Sequence, residues 1–223
     1  MFQIISQTFP PSRTQRPLPI ISPHITGSPC AFCRKRRAKA PAPIPQERKP
    51  SPKRGQRSHI MADLLCRLYE NDIDPQPEIS RLRAQGIEIK RAHPVNKTAI
   101  LDFIEQEFSS GWRNEAEHCF SHCFTTMYIA VKEKRVIGFA CYEATGRDFF
   151  GPVGVKSEYR RMHIGLALSK CCLNSMKEMG YAYAVIGWAA HGAFDFYKQH
   201  LGAVEIPDSE ARNSIYRNLL QVD

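Results

Sequence analysis

The sequence predicts an α+β fold, and three observations carry that prediction. Windows of helical spacing alternate with windows of strand character in the order β-α-α-β-β-β-α-β-α-β-β. Residues 127–131 and 136–142 are apolar runs around Lys132, Glu133, Lys134 and Arg135, which reads as a hairpin. Residues 181–188 are almost unbroken apolar and follow a clear helix, as a strand covered on both faces should.

Each element has its own signal. Residues 61–86 read as an arm with a leading helix over 76–85, closed by Gly86. Ile87, Glu88, Ile89 and Lys90 alternate as a strand. Ala99, Ile100, Phe103, Ile104 and Phe108 recur at helical spacing. Ser109, Ser110 and Gly111 break that helix, and Trp112 opens a second one through about Cys123. Thr145, Gly146, Arg147 and Asp148 form a turn leading into a strand over 149–155. A helix opens at Ile164, with Ile164, Leu168, Cys172, Met176 and Met179 on one stripe and Gly180 as its stop. A last helix over 193–201 is closed by Gly202, and 203–206 with 214–219 offer a terminal strand pair.

Composition divides the chain. Of 223 residues, 1–60 hold twelve Lys/Arg against one acid, so the net charge of +9 is +11 in that segment and −2 in the rest. Eleven of the sixteen prolines fall there too, and apolar periodicity is missing. Such a segment cannot bury enough surface to offset its chain entropy, so it reads as a disordered tail. It fits a nucleic-acid-binding arm, an acid-poor targeting sequence, or sequence upstream of a true start at Met61, and the third is favoured. No apolar run reaches the roughly 18 residues that would span a bilayer, so the expectation is a cytoplasmic protein with no membrane partner. Nucleic acid becomes a partner only if the tail is translated and retained. Monomer and homodimer are both left open.

The eight cysteines follow no secretory signal, which suggests reduced thiols. Cys30 and Cys33 lack a second ligand pair for zinc. On a helix, His118/His122 and Cys119/Cys123 would be two pairs pointing about 100° apart, which does not converge on one ion. No metal is expected.

The chemistry concentrates between Phe149 and Leu168. A helix start leaves its first N–H groups unpaired and adds partial positive charge, and Arg160 and Arg161 stand beside it. Together they suit a diphosphate. The run Arg160-Arg161-Met162-His163-Ile164-Gly165 resembles the acetyl-CoA signature of the GNAT-type N-acetyltransferases, Arg/Gln-x-x-Gly-x-Gly/Ala, with His163 in place of one glycine. Phe150-Gly151-Pro152-Val153-Gly154-Val155, the run 180–187 and Phe196-Tyr197 resemble, in the same order, bacterial members of that family.

The resemblance covers about 87–220 and implies a GNAT domain over 87–223. That fold has a central mixed, mostly antiparallel twisted sheet, flanking helices and a splayed, V-shaped cofactor cleft. It implies an acyltransferase that moves an acetyl group from acetyl-CoA to a primary amine in a ternary complex. Val153, Gly154 and Val155 would pair with the pantetheine arm. Arg160 and the amides of Arg161, Met162, His163, Ile164 and Gly165 would hold the diphosphate, and Tyr197 would protonate the departing sulfur. For the base, Glu143 at a strand end comes before Asp148 and His191. Trp112 and Glu115 lie in a segment that commonly roofs the acceptor. The rivals are a nucleic-acid-associated protein or a CoA sensor on an inactive GNAT fold.

Overall fold

The computed structural model describes residues 61–210 and 214–218, so the expectations for 1–60 lie outside the described residues. The elements are β1 (Ala62–Arg67), α1 (Gln76–Arg83), β2 (Ile87–Arg91), α2 (Lys97–Glu107), α3 (Ser110–Glu117), β3 (Met127–Lys132) and β4 (Arg135–Tyr142). They continue with β5 (Phe149–Val155), α4 (Ile164–Glu178), β6 (Tyr183–Ala189), α5 (His191–Leu201) and β7 (Val204–Glu205). The strands form one sheet in the order β2-β3-β4-β5-β6-β1-β7. Only β5–β6 is parallel; every other neighbouring pair runs antiparallel.

Strand alternation feeds two cores, one on each face of the sheet. Ala140, Tyr142 and Phe150 join Leu82 of α1, most of the α4 stripe and Phe194, Tyr197 and Leu201 of α5. Phe139 and Cys141 face the other way, against Ile100, Leu101 and Ile104 of α2 and Ala116 of α3. A strand with both faces covered explains why β4 is buried from Ile137 to Tyr142. The β3–β4 turn is closed by Glu133 (φ 50°) and Lys134 (φ 62°), the left-handed pair of a two-residue hairpin.

Three expectations are corrected. β1 was read as part of an arm, but it lies inside the sheet between β6 and β7. Ala62, Leu64 and Cys66 are its buried side. Leucine-rich MADLLCRL has no turn residues at its ends, and its strand character comes from pairing with β6 and β7. The helix from Trp112 stops at Glu117, begins earlier at Ser110, and passes into a 3-10 turn over His118–Phe120. Ser109, read as a breaker, is its N-cap and accepts from the Trp112 amide at 3.2 Å. The terminal pair does not form as expected. β7 pairs with β1, and Ile215–Asn218 is a 3-10 turn whose Tyr216 stacks on Trp188 instead of joining a ladder.

Candidate active site

After β5 the chain makes a turn at Ser157–Tyr159, extends through Arg160 and enters α4. Arg161 (φ 63°) and His163 (φ 64°) are both left-handed. A β-carbon there costs strain, which is why glycine is common at such positions. His163 therefore keeps the backbone path of a glycine while carrying an imidazole. The first main-chain bond of the helix runs from the Ala167 amide to the His163 carbonyl at 3.0 Å. Among the described residues, the amides of Arg161, Met162, His163, Ile164, Gly165 and Leu166 have no main-chain or side-chain acceptor. All of these residues but Met162 border a cleft of about 210 Å³ that Val155, Tyr159, Arg160 and Phe196 also line. Arg160 holds its guanidinium at this mouth through Nε, which donates to the Val155 carbonyl at 3.3 Å. Met162 instead packs on the α4 core.

The two parallel strands separate beside that mouth. β5 pairs with β6 only at Phe149↔Val185 and Phe150↔Ile186. On its other side it stays paired with β4 through Val153, Gly154 and Val155. From Gly151 onward, the β6-facing edge of β5 has no ladder partner, so its main-chain groups line a V-shaped opening. Gly154 has a packing reason: a β-carbon there would lie 2.5 Å from Phe108 Cζ and 2.9 Å from Phe139 Cε1. What approaches its backbone is an aromatic ring of the α2–α3 layer.

Tyr197 is buried on α5, edge-on to Phe150 at 6.4 Å. Its hydroxyl has no hydrogen bond among the described residues, and burial pushes its pKa up to about 12. Gly202, in the left-handed region at φ 59°, ends the helix by donating its amide to the Tyr197 carbonyl.

Glu143 is not brought to this cleft. It sits after β4 at φ 55°, accepts a hydrogen bond from the Tyr181 hydroxyl, and lines a second cavity with Ser175 and Glu178. The two cavities share no lining residue and lie at opposite ends of α4, about 20 Å apart along a helix of this length. β4 runs antiparallel to β5, with Tyr142 opposite Phe150 and Gly138 opposite Val155, so the end of β4 lies beside the start of β5 and not beside the cleft at its end. Asp148 is a turn residue at φ 66° whose carbonyl accepts from Val185, and His191 opens α5. Across the sequence-predicted pairs, His118 Nδ1 meets the Ala144 carbonyl at 2.9 Å and His122 Nε2 the Glu143 carbonyl at 3.3 Å.

A different carboxylate, Glu115, connects through side chains to the point where the two strands part. Gly187 is the first residue of β6 past its last pair with β5, and Phe149 and the Tyr216 hydroxyl crowd against it. The Tyr216 hydroxyl lies close to Thr145. Thr145 in turn donates to Glu115 Oε1 from α3. Oε2 of Glu115 has no donor among the described residues, and burial raises the pKa of this carboxyl. Beside it, Trp188 adopts φ 46° at a point where β6 holds one residue more than β1, and its amide donates to Asp63 Oδ1 at 2.7 Å. The sequence marked Glu115 only as part of a roof. Thr145 and Tyr216 gave no signal, because they come from a turn and a distant 3-10 segment.

Parting parallel strands and a helix start rich in free amides at their mouth are features of the GNAT fold. Residues 96–203 match the model of the Acetyltransferase (GNAT) family, and this region is a GNAT domain. In structure it is similar to a GCN5-related glucosamine N-acetyltransferase region of a fungal multi-domain GH3 β-N-acetylglucosaminidase. The TM-score is 0.54 and the identity 18%, over 67% of this chain and 20% of that one. A GCN5-related N-acetyltransferase from Sphaerobacter thermophilus aligns at TM-score 0.46 and 15% identity, over 66% of this chain and 49% of that one. The chain thus spans a fifth of the first and about half of the second, and the first is a likeness of fold alone. No curated protein sequence matches it.

Proposed function

We propose that this protein is an N-acetyltransferase that carries an acetyl group from acetyl-CoA to a primary amine by direct attack in a ternary complex. The family implies acyl transfer from acetyl-CoA. One observation supports the rest: five residues with unbonded amides at the start of α4 border, with Arg160, a cleft beside the unpaired edge of β5. The amides and Arg160 take the diphosphate, with the helix dipole adding to the field. The free edge of Gly151 to Val155 pairs with the amide-bearing pantetheine arm and points the thioester toward the apex.

At the apex Glu115 receives the acceptor's ammonium on its free oxygen and takes one proton, which passes to solvent. The neutral amine attacks the thioester carbon, forming C–N and breaking C–S. Tyr197, which keeps its proton at neutral pH, donates to the leaving sulfur, and the proton lost from nitrogen as the amide forms restores it. A carboxyl with a raised pKa suits the first step, since a base works best when its pKa approaches the working pH.

The test is thermal shift with acetyl-CoA together with thiol release across a panel of primary amines, in wild type and Arg160→Glu. Wild type is stabilised and releases thiol. Removing a charge-assisted contact worth about 1.5–3 kcal/mol weakens acetyl-CoA in the variant by roughly 10- to 100-fold. A wild type that acetyl-CoA does not stabilise refutes the cofactor reading, and stabilisation without thiol release refutes the enzyme reading.

A further inference from the structure

The larger cavity, about 380 Å³, lies at the C-terminal end of α4, and acetyl transfer makes no use of it. Its volume falls within the range of small-molecule sites. Its walls come from four places: the end of β2 (Arg91), the segment after α3 (His122 to Thr126), the end of β4 (Tyr142, Glu143) and the end of α4 (Ser175, Glu178).

Arg91 is held in place by neutral groups alone. Nη1 donates to the Thr125 carbonyl at 2.8 Å and to Tyr142 Oη at 2.6 Å; Nη2 donates to Tyr128 Oη at 2.8 Å and to Ser175 Oγ at 3.0 Å. The guanidinium also lies over the Tyr128 ring at 4.6 Å. A hydroxyl that accepts from an arginine must aim its own proton elsewhere. Tyr142 has no acceptor for that proton among the described residues. Tyr128 and Ser175 share one bond of 2.9 Å between them, which leaves one more proton over. Tyr142, and Ser175 where Tyr128 is its donor, therefore hold polarised O–H groups at the cavity wall, backed by a fixed positive charge.

Two carboxylates line the same cavity, yet neither pairs with Arg91 among the described residues. Glu143 is tied to Tyr181 through Oε1, and Glu178 to Asn174 at 2.9 Å through Oε1. The second oxygen of each has no donor among the described residues. Glu178 also ends α4, where the helix dipole favours a cation. Opposite charges sharing a cavity normally collapse into an ion pair. Here each is anchored separately and held off the other, an arrangement that suits one ligand carrying both signs. Phe124 (77% exposed) and Met179 (54% exposed) give the rim an apolar character.

We propose that this cavity binds a small zwitterion with an apolar body, of the free α-amino acid class. Its carboxylate meets the Tyr142 and Ser175/Tyr128 hydroxyls over Arg91, and its ammonium meets Glu143 and Glu178. The assignment stands apart from acetyl transfer, because the cavity and the α4 start are at opposite ends of the helix.

Isothermal titration of the full chain with L-leucine, L-methionine and L-phenylalanine tests it, beside N-acetyl-L-leucine and L-leucinamide, which each keep one charge. At least one free amino acid binds, and both capped leucines bind at least tenfold more weakly than leucine. Tyr142→Phe and Glu143→Gln each weaken that amino acid at least tenfold while both variants keep the wild-type circular dichroism spectrum and a cooperative thermal melt, which shows that they are folded. No binding by any of the three, a capped form that binds as tightly as leucine, or folded variants that bind like wild type would each overturn the proposal.

Discussion

The ring of Phe108 occupies the space where residue 154 would carry a β-carbon, with Cζ 2.5 Å from that position. Phe108 also stacks on Trp112 at 5.2 Å and meets Phe139 edge-on at 5.5 Å, so it has no room to retreat. One glycine in β5 thus lets the α2–α3 layer close over the strand that borders the cleft.

Gly154→Ala is therefore expected to destabilise by about 1–3 kcal/mol, the usual cost of overpacking. Adding Phe108→Leu should recover part of the loss, because it removes the ring atoms that clash. Urea melts of the single and double variants check this, and equal stability of Gly154→Ala and wild type would contradict it.

His163 pays for its left-handed backbone with strain of about 1–2 kcal/mol. His163→Gly should melt higher by a net amount of about 1 kcal/mol, after the glycine's own entropic cost. Acetyl-CoA binding is expected to persist in the variant, since the donors are main-chain amides. If the imidazole itself contacts the diphosphate, titration will instead show a weaker complex.

Glu115 gives a stability signal of definite sign. Burial raises its pKa in the folded state, so below the ordinary carboxylate value of about 4.3 both states are protonated and nothing is lost. As pH rises from there through the raised value, the unfolded chain ionises first and the fold loses stability. Glu115→Gln should then melt above wild type at pH 7 and level with it near pH 4. The same variant should lose about 10²- to 10⁴-fold in kcat/KM, with the acid limb of the wild-type pH profile gone. A variant both more stable and as active as wild type would remove Glu115 from the chemistry.

Tyr197→Phe removes a hydroxyl that makes no hydrogen bond among the described residues. Stability should change little, while kcat falls about 10²-fold, the low end for a general acid. An unchanged kcat would leave Tyr197 as a core residue only.

Much of this protein was legible as sequence, for local reasons. The β3–β4 hairpin, β5, and α4 with its arginines are each written in a contiguous window of period, turn and cap residues, and each formed close to where its pattern lies. β1 was not legible, because a six-residue leucine-rich run becomes a strand only through the partners it finds in β6 and β7. Nor was the fate of Glu143. A strand-end carboxylate reads as close to the groove, but β4 pairs antiparallel with β5, so its end lies at the start of β5 and the far end of α4.

What the sequence by itself determined was the diphosphate-type helix start at Ile164, since free amides, a dipole and flanking arginines are properties of a few successive residues. The tertiary structure decided which carboxylate connects to the point where the strands part and which lines the second cavity. Glu115, Thr145 and Tyr216 come from a helix, a turn and a distant 3-10 segment. They meet only because β5 and β6 part at Gly187, and Tyr216 packs into the gap. Contacts between residues so far apart in the chain are set by packing and register, which no local window encodes.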